Sequence, residues 1–207
     1  KIGVLAKSKA EQKFVVADLI EEGDIVVLCI PIDESAPKGR IILPQQLTPR
    51  EILDCNATAV CCQPSELAGM LSVLSKKPRL VITDSQVFGK VSKLVPEDII
   101  LTSFSILMAR YKGELSTLVD GAEALGRIKT GDKILISEGC THHRQCNDIG
   151  TVKLPDWIRK YTGAEPGFSF TSGGEFPSDL SGFSLVVHCG GCMLNEREMK
   201  SRLEIAR

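Results

Sequence analysis

Five residues in the second half of the chain have the types and spacing that bind metal: Cys140, His142, His188, Cys189 and Cys192. They sit in two short segments, Cys140-Thr141-His142-His143-Arg144-Gln145-Cys146 and His188-Cys189-Gly190-Gly191-Cys192. All three histidines of the chain and four of its eight cysteines fall between residues 140 and 192, a concentration that packing alone does not require. Cys-x-x-Cys lets two thiolates converge from a single turn. Glycines between them permit positive φ and leave backbone N–H groups free to donate to sulfur. Cys-x-His adds a third sulfur and an imidazole. The residues themselves admit three occupants: an iron–sulfur cluster, a structural zinc ion, or no metal and a redox dithiol at Cys189 and Cys192. The cluster comes first. One Cys-x-x-Cys and one distant Cys-x-His make an unusual zinc layout, and a dithiol leaves the Cys140 loop without a purpose.

These loops need elements that bring them together. Each follows an apolar β-branched run, at residues 133–137 (KILIS) and 183–187 (FSLVV). Ligands of open α/β sheets bind at the carboxyl ends of strands, so neighbouring parallel strands would deliver both loops to one edge. A helix is predicted at 155–161, a loop rich in glycine and phenylalanine at 163–177, and a last helix opening at Asn195 with Glu198 three residues on. Further upstream, strands at 25–32, 57–62, 80–84 and 98–102 alternate with helices at 48–53, 64–77 and 85–94. Residues 106–128 read as helix broken near Gly113 and Gly121. Near-continuous apolar strands between helices predict a parallel sheet covered on both faces. The fold class is therefore α/β, with two small domains, each a mainly parallel sheet flanked by helices. The expected boundaries are 1–13 as a linker from a missing N-terminal domain, 14–104 as the first domain and 105–207 as the second.

Composition bounds the rest. At 207 residues, 43% hydrophobic and 25% charged, the chain can bury a real core. A net charge of −1 gives no electrostatic footprint for nucleic acid or acidic membrane, and no apolar run approaches 18 residues. With no signal peptide opening the chain, a cytoplasmic protein is expected. The chain starts at Lys1 without methionine, which suggests a fragment or an excised piece.

Cys140-x-His142 followed by His188-Cys189-x-x-Cys192 resembles the signature of the FeFe-hydrogenase maturation GTPase family known as HydF. The resemblance extends to Ser35-Ala36-Pro37-Lys38-Gly39-Arg40, to residues 102–113 (TSFSILMARYKG), to Asp148-Ile149-Gly150 and to Gly173-Gly174-Glu175-Phe176-Pro177. It covers about residues 15 to 200. It implies a scaffold or carrier with a dimerisation domain at 14–104 and an iron–sulfur cluster domain at 105–207, not an enzyme in its own right. It also implies a 4Fe–4S cluster on Cys140, Cys189 and Cys192, with His142 and His188 as weak, exchangeable ligands or outer-shell groups. One iron would stay exchangeable. The cargo would be the di-iron precursor, passed transiently to the hydrogenase under anaerobic conditions. The implied partners are a second copy in a homodimer, the FeFe-hydrogenase apoprotein and the radical-SAM maturases of the same pathway, with no nucleic acid and no membrane. No G-x-x-x-x-G-K-[ST] occurs, so the chain is expected not to bind or hydrolyse GTP. The chain also stops at Arg207, where the family normally continues.

Plainer roles are expected elsewhere. Cys29, Cys55, Cys61 and Cys62 read as small hydrophobes in packing positions. His143 reads as solvated or outer-shell, and Lys38 and Arg40 as a solvated loop. Gly173-Gly174 is either a simple turn or a close backbone approach to the cluster. Trp157 reads as an anchor of its helix against the sheet, and Cys146 either closes the cluster or stands by. The alternative function is a zinc-stabilised interaction module without cluster delivery.

Overall fold

The computed structural model of the chain describes residues 13–32, 41–139, 148–191 and 193–207. Cys140, His142, His143, Cys146, Cys192, Lys38 and Arg40 lie outside the described residues.

The four upstream strands form one sheet. They are β1 (Ile25–Cys29), β2 (Thr58–Cys62), β3 (Leu80–Thr83) and β4 (Ile100–Ser103), all parallel, in the order β2-β1-β3-β4. Strand β1 alternates between two cores. Val26 and Leu28 pack with Ile52, Phe104, Leu107 and Met108, while Val27 and Cys29 pack with Leu67, Val81 and Val91. Burial on both faces is why these strands read as unbroken apolar runs. The helices that cover them are α1 (Leu43–Asp54), α2 (Leu67–Val73), α3 (Phe88–Val91) and α4 (Phe104–Lys112).

Helix α1 begins five residues before the expected 48. Pro49 reads as a first-turn proline, yet it lies inside the helix. The hydroxyl of Thr48, fully buried, donates to Pro44 O at 2.8 Å instead of capping the chain ahead of Pro49. The four upstream cysteines differ in their surroundings. Cys29 and Cys62 are buried and Cys55 packs against the core, but Cys61 is exposed, so packing does not explain it.

The second sheet is three-stranded and parallel, in the order β6-β5-β7, with β5 (Lys133–Glu138), β6 (Gly167–Ser172) and β7 (Leu185–His188). Strand β6 falls in the stretch expected to be loop. Glycine and serine hide its alternation of Phe168 and Phe170, and as an outer strand it is never buried on both faces. Helix α5 (Leu115–Ala124) runs through Gly121 without a break. A π-helical turn over Ile149–Lys153 leads into α6 (Leu154–Thr162), and α7 (Glu196–Ala206) ends the chain. On α6 the buried residues are Pro155 and Ile158, whereas Trp157 is 47% exposed. Trp157 points away from the sheet because Ile158 holds the inward position with Ile128, Ile134 and Ile136. Both sheets are flanked by helices, and the class is α/β.

Candidate metal centre

The two strands that precede the metal loops are neighbours: β5 pairs β7 in parallel, with Ser137 opposite His188. The ladder continues past the strand ends, since Cys189 N–H donates to Ser137 O at 3.1 Å and Gly173 N–H donates to Glu138 O at 2.9 Å. The chain segments that follow β5, β6 and β7 therefore leave the sheet at one edge, with Glu138, Gly173 and Cys189 side by side. Gly139, the residue before Cys140, donates its N–H to the Cys189 sulfur at 3.0 Å, and Gly191 N–H donates to the same sulfur at 3.4 Å. Two amide donors on one sulfur stabilise negative charge there, as a cluster thiolate needs.

The glycines of the second loop are required by space. Gly191 sits at φ +60°, and a Cβ there would fall 2.5 Å from the sulfur of Met199. At Gly190 a Cβ would meet the backbone of Ser105 at 3.0 Å, so the loop lies directly against the start of α4. The buried Lys112, at the end of α4, donates to Gly191 O at 3.0 Å and Leu194 O at 2.7 Å. These two bonds tie the loop to the first sheet's helical layer. Helix α7 follows, capped by Asn195, whose side chain accepts from Glu198 N–H at 2.8 Å.

Arg202 on α7 holds the strand ends together. Its guanidinium is 3% exposed. Nε donates to Glu198 at 2.8 Å, Nη1 to Ser137 Oγ at 3.4 Å and His188 Nε2 at 3.0 Å, and Nη2 to Gly173 O at 2.7 Å. It also lies 5.0 Å over the ring of Phe176. One side chain thus contacts the ends of β5 and β7 and the residue after β6. Arginine has no acceptor, so His188 Nε2 must accept, and the ring proton resides on Nδ1. That nitrogen lies 2.6 Å from Cys189 O. Both imidazole nitrogens are engaged, and the ring orients the Cys189 backbone. Burial pushes the His188 pKa below its ordinary value, and the Arg202 charge acts in the same direction.

Glu138 is buried at the end of β5, and its carboxylate lies over Gly150. A Cβ at Gly150 would come within 2.5 Å of Glu138 Oε1, which is why glycine stands there. Beside it, Asp148 caps the turn into α6, accepting from Thr151 N–H at 2.9 Å and its hydroxyl at 3.0 Å.

Of the expected site residues, the described structure thus places His188 and Cys189 at one edge with Glu138. Cys140, His142 and Cys192 lie outside the described residues, though their neighbours Gly139, Gly191 and Met193 do not. Sequence reading overlooked Lys112, Ser137 and Arg202. Lys112 and Arg202 are charged residues on helices, and only the fold shows both buried. Gly173 belongs to the site's frame, at φ +60° with both its N–H and its carbonyl committed.

Family models agree with this architecture. The hydrogen maturase F dimerization domain matches residues 15–113, and the hydrogen maturase F tetramerization domain matches residues 116–207. Both describe self-association modules. No curated protein matches the chain. Among solved structures, a fatty acyl CoA synthetase of Mycobacterium tuberculosis is similar over 81% of this chain, with 13% identity and a TM-score of 0.36. The chain spans only 38% of that structure's length, and a likeness this distant carries no argument. Two adjoining models of one family span nearly the whole chain, over two parallel sheets whose strand ends meet at a cysteine loop: the chain belongs to the hydrogen maturase F family and has a role in hydrogenase maturation.

Proposed function

We propose that the chain is a non-enzymatic scaffold that holds a 4Fe–4S cluster at the carboxyl edge of β5 and β7 and carries the di-iron precursor to FeFe-hydrogenase. The observation that supports this most is the Cys189 sulfur, which accepts two backbone N–H groups where the two metal loops leave neighbouring strands. The donor set fits a cluster: Cys140, Cys189 and Cys192 would supply three thiolates, and glycines leave amides free to donate to sulfur. When bound, the cluster supplies an iron without a cysteine ligand, on which an exchangeable group can sit. His188 acts from the outer shell, because Arg202 and Cys189 O engage its ring. His142 remains a candidate for weak ligation, and Glu138 is a carboxylate at the same edge.

The first domain would pair in a two-fold homodimer through β4, an outer strand of its sheet. The radical-SAM maturases and the hydrogenase apoprotein are the proposed partners, and a cytoplasmic location suits an anaerobic maturation pathway. GTP hydrolysis is assigned elsewhere, since no glycine-rich phosphate loop occurs in the chain.

Anaerobic reconstitution followed by iron and sulfide analysis tests the reading. A brown protein with about four irons per chain is expected, lost in Cys189→Ala. Added imidazole or cyanide should then perturb the electron paramagnetic resonance spectrum of the reduced protein. A colourless protein holding one zinc per chain would overturn the proposal in favour of a zinc-stabilised interaction module.

A further inference from the structure

Strand β6 is an outer strand, and among the described residues its free side has one backbone partner, Glu175 N–H, which donates to Ser172 O at 3.2 Å. The ladder to β5 uses Gly167 N–H, which donates to Asp132 O, and Gly173 N–H, which donates to Glu138 O. In a parallel ladder the residues of that parity face the neighbour. Phe168, Phe170 and Ser172 therefore turn their N–H and C=O groups outward. Proteins blunt such an edge with charge, proline or a bulge. Residues 167–172 (GFSFTS) contain none of these.

The strand also borders a groove. A cavity of about 410 Å³ lies between β6 and the turn into α6, lined by Val152, Pro155, Arg159, Pro166, Phe168 and Phe170. Phe170 is 39% exposed there, and Val152 is 37% exposed. The other outer strand, β7, is shorter, half-buried along its length and packed by α5. The groove also carries one acid, Asp156, and one base, Arg159, so both it and the uncharged edge beside it are self-complementary about a two-fold axis.

We infer that β6 is the tetramerisation surface: two copies of this chain pair their β6 strands antiparallel, joining two three-stranded sheets into one. The occupant is a second copy because the family model over residues 116–207 describes tetramerisation, and β6 is the most exposed unpaired edge within that span. With the axis at Phe170, each Phe170 lies opposite its own copy and Phe168 lies opposite the partner's Ser172. The Phe170 N–H and C=O then pair with those of the partner's Phe170, and Ser172 N–H donates to the partner's Phe168 O. Ser172 O, which already accepts from Glu175 N–H, takes the partner's Phe168 N–H on its second lone pair, and the two Phe170 rings cover the groove mouths.

Sedimentation velocity of the full chain tests this. The parent protein is expected to be a tetramer at tens of micromolar, and Phe170→Lys a dimer with unchanged circular dichroism. Val119→Lys alters an equally exposed apolar residue on α5, 48% exposed, and should leave the tetramer intact. Hydrogen exchange gives a readout that needs no variant: amides of Phe168, Phe170 and Ser172 should be protected in the tetramer and lose protection on dilution. The inference is overturned by a tetramer that survives Phe170→Lys, by dissociation in Val119→Lys alone, by fast exchange of those three amides in the assembled protein, or by a parent that never exceeds a dimer. None of these outcomes depends on cluster binding.

Discussion

Replacing Arg202 by alanine removes the side chain that joins the ends of the second sheet. Three of its five contacts count. The Glu198 carboxylate is 41% exposed and rehydrates, so that pair contributes little. Gly173 O and His188 Nε2 lose a charged donor in a buried setting, at about 1–3 kcal/mol each. The stacking on Phe176 adds about 0.5–1 kcal/mol. The bond to Ser137 is long, at 3.4 Å, and its hydroxyl keeps Thr171 as a donor. The loss should be about 4 kcal/mol, a large share of the stability of a small domain. Arg202→Lys should lose about half of that, since an ammonium has three donors but not the fork that spans two strand ends. Trp157, the chain's one tryptophan, lies half-exposed on α6, whose Ile158 packs on the same sheet, and loss of that helix on unfolding is read by its fluorescence in a urea titration. A loss below about 1 kcal/mol for the alanine variant, or equal losses for lysine and alanine, would refute the fork as the organising contact. A second readout is the His188 ring: without Arg202, Nε2 loses its donor while Nδ1 keeps Cys189 O, so the Nε2 signal should shift to that of an acceptor without a protein donor in nitrogen NMR spectra.

Three further outcomes are expected. Glu51 accepts from the N–H groups of Val15, Val16 and Ala17, so Glu51→Ala should lose about 2 kcal/mol in chemical denaturation and release the N-terminal turn to proteolysis. Asp18 is held below the ordinary carboxylate range by its bidentate bond to Arg110; its contribution is present above the unfolded pKa and is lost as pH falls through the folded one, so acid unfolding of Asp18→Asn should be less pH-dependent there than that of the parent. Burial pushes the Cys62 thiol up to about 12 and raises Cys29 as well, so neither should be alkylated by iodoacetamide at pH 8 in the folded protein, as mass spectrometry of digested samples would show.

The sequence by itself determined the parts of this protein that rest on local pattern. Strands β1 to β5 and β7 are legible because each is built on a short β-branched run, least interrupted in β1 and β3, which are buried nearly throughout. Helix α7 is legible from its Asn195 cap, and the metal-binding types at residues 140–192 from spacing alone. Tertiary structure decided the rest. Strand β6 is a strand because β5 offers it a ladder, not because GFSFTS prefers one. Helix α1 keeps Pro49 because packing of Ile52 and Thr48 outweighs one missing hydrogen bond. Lys112 and Arg202 resemble every other charged residue on a helix until the fold removes water from around them and supplies carbonyls in its place. Spacing named the cysteines and histidines, but the pairing of β5 with β7 brought Gly139 and Cys189 to one edge. Only there did His188 become a residue that orients, with Nδ1 on the carbonyl of its neighbour Cys189 and Nε2 on Arg202 of α7.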